Sequence, residues 1–394
     1  TATGAYVDRA ASAPYTARLG EAAHRIVPGP PRVTALVAAR ILSGEGGTSA
    51  TPAWIVIGDA RIVATGSGPA PGGATDLGDA LLAPGYVDIQ INGAGAVDFA
   101  TASAEAIIAT IDALIDGGCT ACLPTICSAP LDRYAAMLER LAVVRAARPE
   151  SVLGVHLEGP FLGGAPGAHP PEFVRDVDLD WLVALCDRFG DLVRLVTLAP
   201  EADPGLAAVA ALRARGITVA LGHSTVDLDG ARAAADAGAG IVTHLFNGMG
   251  PLHHRAPGLA GAALDDRRLV PSVIADGVHV HPLMLRLALR ARPDAVLVTD
   301  AVATAPPLEL RSGAAYLPDG TLAGSTLTMA SAVRHVAALG ISAAATVRCA
   351  TGNPARAIGA TQYGRIAAGC RADLVALDPV TLEVRAVWLG GVRR

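Results

Sequence analysis

The 394-residue chain contains no lysine; all 31 of its basic residues are arginine. That absence removes Schiff-base lysine chemistry, the P-loop lysine and the kinase lysine. It also removes any metal centre that needs a carbamylated lysine as a bridge. A basic excess is missing too. The formal net charge is −5, which speaks against nucleic-acid and membrane-surface partners. No run approaches 18 consecutive apolar residues, so a transmembrane helix is not expected. The first 30 residues lack a continuous apolar stretch, so no secretory leader is expected and a cytoplasmic location is. The six cysteines (Cys119, Cys122, Cys127, Cys186, Cys349 and Cys370) are scattered through a large chain, which argues against a disulfide framework. Cys119 and Cys122 form a CxxC, but they lie inside the apolar run CTACLPTIC with no second pair. They read as small core residues rather than as a zinc or redox pair.

What is present is a large apolar fraction, 52% hydrophobic against 17% charged, too much for a disordered chain. Residues 1–31 read as a flexible arm. From Val33 to Leu82 the runs VTALVAARIL, AWIVI and RIVATG, separated by Gly and Pro, predict strands. ADLVALD and VRAVWLGGVRR near the end are of the same kind. The two terminal segments, 32–83 and 356–394, are therefore expected to form one small β-sandwich. Between them, over 84–355, eight short runs rich in Val, Ile, Leu and Thr end in polar residues or Gly. Helical spacing fills the gaps: Ile107, Ile108, Ile111, Leu114 and Ile115 before Gly117 and Gly118, then Tyr134, Leu138, Leu141 and Val144, then Leu206, Val209 and Leu212 before Gly216. Eight alternations predict an α/β fold, a TIM-like (β/α)8 barrel. A doubly wound open sheet is the competitor, but no GxGxxG follows the first strand.

In such a barrel the active site lies at the C-terminal strand ends. Gln90 and Asn92 end the first strand, His156 and Glu158 the third, His223 the fifth, His244 and Asn247 the sixth, Asp276, His279 and His281 the seventh, and Asp300 the eighth. Glu158, His223 and His244 offer one carboxylate and two imidazoles, the donor set of a catalytic divalent-metal site with a position open for water. Asp300 is the candidate general base and acid. The loop NGMGPLHHRAPG carries His253, His254 and Arg255, and an arginine there suits a planar or phosphate anion. His169, in GAHP, is either a ligand-facing loop residue or an ordinary surface histidine. His24 and His335 read as tail and helix residues without a functional role.

HLEGPFL (156–162), GAHP (167–170), LGHS (221–224), THLFNGM (243–249), PLHHRAPG (251–258), DGVHVHP (276–282), VTDA (298–301) and LAGSTLTM (322–329) occur in this order, after APGYVDIQINGAG (83–95). Together they resemble the N-acetylglucosamine-6-phosphate deacetylase family of the amidohydrolase superfamily, from about Val33 to Arg394. The resemblance implies Glu158, His223 and His244 as metal ligands, Asp300 as catalytic acid and base, and His169 as a group polarising the acetyl carbonyl. It implies substrate contacts at Ala168, Asn247, Gly248, Asp276, Gly277, Val278, His279, Leu322, Ala323 and Gly324. Arg255 matches a phosphate-binding arginine supplied across a homodimer interface. Much of the superfamily has HxH after the first strand, where this chain has Gln90 and Asn92. Neutral amides bind transition metals poorly, so one divalent ion per subunit is expected and a contact role falls to the two amides. Zinc suits the donor set; Fe2+, Co2+ or Mn2+ would also fit it. A second departure is Ala256, where the family's loop often has Glu. The implied reaction releases acetate and glucosamine 6-phosphate. The galacto epimer or another acylated amino sugar is the alternative substrate, and a catalytically silent sugar-phosphate-binding barrel a remote one.

Overall fold

The computed structural model describes residues 34–49 and 51–394. The arm expected over residues 1–31, with His24, lies outside the described residues. All eight apolar runs of the central region are parallel strands of one sheet: β1 (Tyr86–Ile91), β2 (Cys119–Ile126), β3 (Val155–Glu158), β4 (Val193–Leu198), β5 (Thr218–Leu221), β6 (Ile241–Val242), β7 (Val270–Ile274) and β8 (Val296–Val298). Nearly every residue in them is buried, as expected for strands covered on both faces. The end strands meet just beyond β8. The Asp300 N–H donates to the Gln90 carbonyl at 2.9 Å, and the Asn92 N–H donates to the Ala301 carbonyl at 2.8 Å. These bonds close the sheet into a barrel.

Each strand is followed by a helix: α1 (Ala104–Asp116), α2 (Tyr134–Ala147), α3 (Leu179–Phe189), α4 (Ala207–Ala214), α5 (Leu228–Ala237), α6 (Gly258–Asp265), α7 (Pro282–Ala291) and α8 (Met329–Ala338). Ser103 caps α1 by accepting from the Ala106 N–H, and Ile107, Ile111 and Ile115 face inward. Gly118, at φ +94°, turns the chain into β2, where a Cβ would press on Tyr86, Val375 and Val384 at 3.2 Å. On α2 the four residues of the stripe, Tyr134, Leu138, Leu141 and Val144, are all buried. Two shorter helices, α9 (Ala343–Ala350) and α10 (Gly352–Ala357), follow α8.

The terminal segments form two further sheets. One orders Arg61–Ser67, Ala53–Gly58, Thr34–Ala38 and Thr75–Asp76. The other orders Arg40–Ile41, Leu81–Pro84, Leu374–Leu377, Val384–Leu389 and Val392–Arg393. Leu82 faces Ala376 across an antiparallel pair that ties the two chain ends together. Leu36, Ile55, Ile57, Ile62, Leu82, Leu374 and Trp388 share a core separate from that of the barrel. Between β8 and α8 a three-stranded antiparallel sheet (Glu309–Arg311, Ala314–Tyr316, Leu322–Ser325) overhangs the C-terminal end of the barrel.

Candidate active site

A cavity of about 380 Å³ opens at that end, lined by side chains that include Asn92, Cys127, Glu158, His169, His223, His244, Asn247, His279 and Asp300. Glu158 Oε1 lies 3.1 Å from Nε2 of both His223 and His244, and the two Nε2 atoms are 3.1 Å from each other. The tautomers follow from the far side of each ring. Nδ1 of His223 meets the Ala165 carbonyl at 3.2 Å, and Nδ1 of His244 meets the Asn247 carbonyl at 3.1 Å. A carbonyl oxygen can only accept, so both Nδ1 atoms carry the proton and both Nε2 atoms present lone pairs. Two lone pairs and a carboxylate oxygen thus converge on one point with no proton between them. A divalent cation resolves that arrangement, and the donor set, two imidazoles fixed by carbonyls plus a carboxylate, fits one.

Asp300 stands beside this cluster. Asn92 Nδ2 donates to its Oδ1 at 2.8 Å, and Gln90 Nε2 does so at 3.3 Å while also donating to Glu158 Oε1 at 2.9 Å. Burial, then the charge of Glu158, raises the Asp300 carboxyl above its ordinary value. His223, His244 and Asp300 have φ of +51°, +30° and +47°. All three are non-glycine residues held in left-handed backbone, a strain that clusters at functional sites. Gly248 (φ +55°) passes so close to His223 that a Cβ would lie 2.8 Å from its Nδ1.

His169 is buried against His223, ring centroids 4.4 Å apart. The Ser128 backbone N–H donates to its Nδ1 at 3.2 Å, so Nδ1 is the acceptor and Nε2 carries the proton. Burial pushes its pKa down to about 3, so the ring is a neutral donor. Ala168, Gly248, Leu322, Ala323 and Gly324 also line the cavity.

The other sequence candidates sit elsewhere. Gln90 is nearly inaccessible and bridges the two carboxylates from beneath. Asp276 turns away from the cavity: its Oδ1 accepts from the Val278 and His279 backbone N–H groups, and its Oδ2 holds His279 Nδ1 at 2.6 Å. His279 thus reaches the cavity with its ring oriented, while Gly277 and Val278 form the turn between. Arg255 is exposed in an adjoining groove with Thr225, Asp227, His253 and Pro257. His335 is on α8, bonded to the Ala275 carbonyl.

Sequence reasoning missed four residues. Cys127 lines the cavity, its thiol 3.1 Å from Asn92 Oδ1, yet in CTACLPTIC it looks like one more core cysteine. Ser128 fixes His169. Asp88 and Thr299 lie under Asp300, bonded to each other at 2.5 Å. A lone acid inside an apolar strand run was the available signal for Asp88.

Residues 81–393 match the model of the amidohydrolase family. The chain is 38% identical over 347 residues to N-acetylglucosamine-6-phosphate deacetylase of Homo sapiens, covering 80% of this chain and 84% of that one. It is 36% identical over 343 residues to N-acetylgalactosamine-6-phosphate deacetylase of Escherichia coli O157:H7, covering 82% and 90%. A solved structure of the Mycobacterium smegmatis N-acetyl-D-glucosamine-6-phosphate deacetylase, an aspartate-to-alanine mutant in complex with N-acetyl-D-glucosamine-6-phosphate, superposes with a TM-score of 0.85 at 36% identity, over 92% of this chain and 99% of the other. The chain belongs to the amidohydrolase family.

Proposed function

We infer that this chain hydrolyses the acetamide of N-acetylglucosamine 6-phosphate to glucosamine 6-phosphate and acetate. The observation that carries the reading is the convergence of Glu158, His223 and His244 beside Asp300 at the mouth of the barrel, in a chain similar over 80% of its length to a deacetylase of this kind.

We assign Glu158, His223 and His244 to one divalent ion, with zinc as the ion the donors suit and Fe2+, Co2+ or Mn2+ able to use the same set. Such an ion supplies Lewis acidity, which acidifies water and polarises a carbonyl. Gln90 and Asn92 leave no imidazole pair for a second ion. Asp300 takes a proton from the attacking water and returns it to the leaving nitrogen. Gln90 and Asn92 both donate to its Oδ1, so Oδ2 is the oxygen that handles the proton. A carboxylate at this position can accept a proton and give it back within one reaction cycle. His169, neutral and protonated on Nε2, donates to the acetyl oxygen as negative charge develops there.

Ala168, Asn247, Gly248, His279 and the Leu322–Gly324 segment contact the sugar. Asp276, through the turn at Gly277 and Val278, sets the His279 ring. Arg255, exposed and outside its own cavity, binds the phosphate of substrate in a second subunit, which makes the working unit a homodimer. Six unpaired cysteines suit a reducing cytoplasm. Among the described residues no helix is long and apolar enough to cross a membrane.

The galacto epimer is the second reading, favoured by the 36% identity to an N-acetylgalactosamine-6-phosphate deacetylase. Acetate release from the two phosphosugars, compared as kcat/KM, tests both. Turnover of the gluco epimer at least tenfold above the galacto supports the first reading, and the reverse order supports the second. Absence of turnover on either, with metal bound, contradicts both.

A further inference from the structure

Asp88 lies in the middle of β1, fully buried, and takes no part in lining the cavity. Among the described residues it has no arginine or histidine partner. A carboxylate buried without a cation is unfavourable in itself, so what it holds matters. It accepts three hydrogen bonds, from Gln90 on its own strand and from Thr299 beyond β8, and a fourth bond depends on them. Its Oδ1 accepts from the Gln90 N–H at 3.2 Å and the Thr299 N–H at 3.3 Å, and its Oδ2 accepts the Thr299 hydroxyl at 2.5 Å. The fourth link is indirect: with its proton committed to Asp88, Thr299 Oγ1 turns a lone pair to the Ala301 N–H at 3.3 Å.

Every backbone polar group from 299 to 301 is pinned in this way. Ser325 donates its hydroxyl to the Thr299 carbonyl at 2.6 Å and its N–H to the Asp300 carbonyl at 3.0 Å. The Asp300 N–H is held by Gln90, and the Ala301 carbonyl by the N–H groups of Asn92 and Gly93. Between these bonds Asp300 sits at φ +47°, a conformation an aspartate keeps only where its surroundings over-determine it. The Asp88–Thr299 pair is the part of that frame made by side chains on both sides of the barrel seam.

We propose that Asp88 is a positioning residue for Asp300, acting through the Thr299 hydroxyl to hold the left-handed turn that aims the Asp300 carboxylate at the cluster. The inference rests on the reading of Asp300 as the base. Only a carboxylate meets the geometry: asparagine has a single acceptor oxygen, so its NH2 would face either the Gln90 and Thr299 N–H groups or the Thr299 hydroxyl, and one side of the link would be lost.

The test uses the purified metal-loaded enzyme. Asp88→Asn and Thr299→Val should each lower kcat by about 10- to 100-fold, the scale of a small misplacement of a reacting group. KM and metal content should stay within about twofold of wild type. The double variant should be no slower than the worse single variant, because both remove the same link. Thr299→Ser, which restores the hydroxyl, should recover more than half of kcat. If Asp88→Asn does not fold, Thr299→Val and Thr299→Ser decide the matter between them. An undiminished kcat in Thr299→Val, a loss that follows metal loss, or additive losses in the double variant would overturn the proposal. Asp300→Asn separates the two layers: if it turns over, the base assignment has failed, and if it is inactive while Asp88→Asn and Thr299→Val are normal, only the positioning role falls.

Discussion

In the proposed reaction Asp300 moves a proton twice. Asp300→Asn should therefore lower the rate of acetate release by at least about 100-fold, the low end of what a positioned acid–base group contributes, while elemental analysis finds the metal content unchanged. Arg255 lies outside its own cavity, so its loss should act on binding rather than on chemistry. Arg255→Ala should raise KM for the phosphosugar by about 10- to 100-fold, as removal of a charge-assisted pair does, and leave KM for unphosphorylated N-acetylglucosamine within about twofold. A KM that rises equally for both sugars would exclude a phosphate role. At this scale the sequence was legible where residue type is tied to chemistry. One acid and two imidazoles at strand ends pointed to a cluster that the fold does bring together, with Asp300 beside it. It was silent where a role depends on who the neighbour is. Cys127 differs from Cys122 only in facing the cavity instead of the core, and no local pattern records that. Asp276 looked like a contact, but its carboxylate is spent on its own turn and on His279, which a sequence read residue by residue does not reveal.

The elements were easier to read because periodicity is a local property. The stripe of α2 is fully inward, so Leu138→Ala should destabilise the protein by about 2–5 kcal/mol, the usual cost of truncating a buried leucine, with kcat unchanged at 25 °C. Chemical denaturation monitored by circular dichroism measures it, and a loss below about 1 kcal/mol would show that α2 packs less tightly than the structure places it. Short strands were legible too, even β6 at two residues and β8 at three, because their apolar runs end in polar residues at matching places. The antiparallel sheet over the cavity, Glu309 to Ser325, was not. Its strands are three or four residues long and its outermost strand is exposed, so no alternation is sustained long enough to register. That sheet contributes Leu317, Thr321 and Leu322 to the cavity wall, a wall the sequence indicated only through the LAGSTLTM motif.

For the molecule as a whole, burial of polar groups inside the barrel makes stability depend on pH. His156 is completely enclosed between Thr125 and Thr197, and burial lowers its pKa to about 4 from an ordinary 6.5. Between those values the unfolded chain binds a proton that the folded chain does not, so stability must fall as pH falls from 6.5 towards 4. The slope from this residue approaches about 1.4 kcal/mol per pH unit. Urea titrations at pH 7.5, 6.0 and 5.0 should show the decline, and His156→Gln should flatten it; an equal slope in the variant would assign the effect to other groups. The barrel and the terminal sheets were both visible in the sequence, because alternation over hundreds of residues leaves few closed architectures to choose from. How the subunits meet was not, since that depends on the chemistry of exposed faces rather than on any repeat.

Glu158, His223 and His244 are proposed to hold a single ion. Counting divalent metal per chain by elemental analysis of the purified, dialysed protein and of its His223→Ala/His244→Ala variant tests it directly. About one ion per wild-type chain and essentially none in the variant are expected. Two ions per wild-type chain, or full acetate release from a preparation that holds no metal, would contradict it.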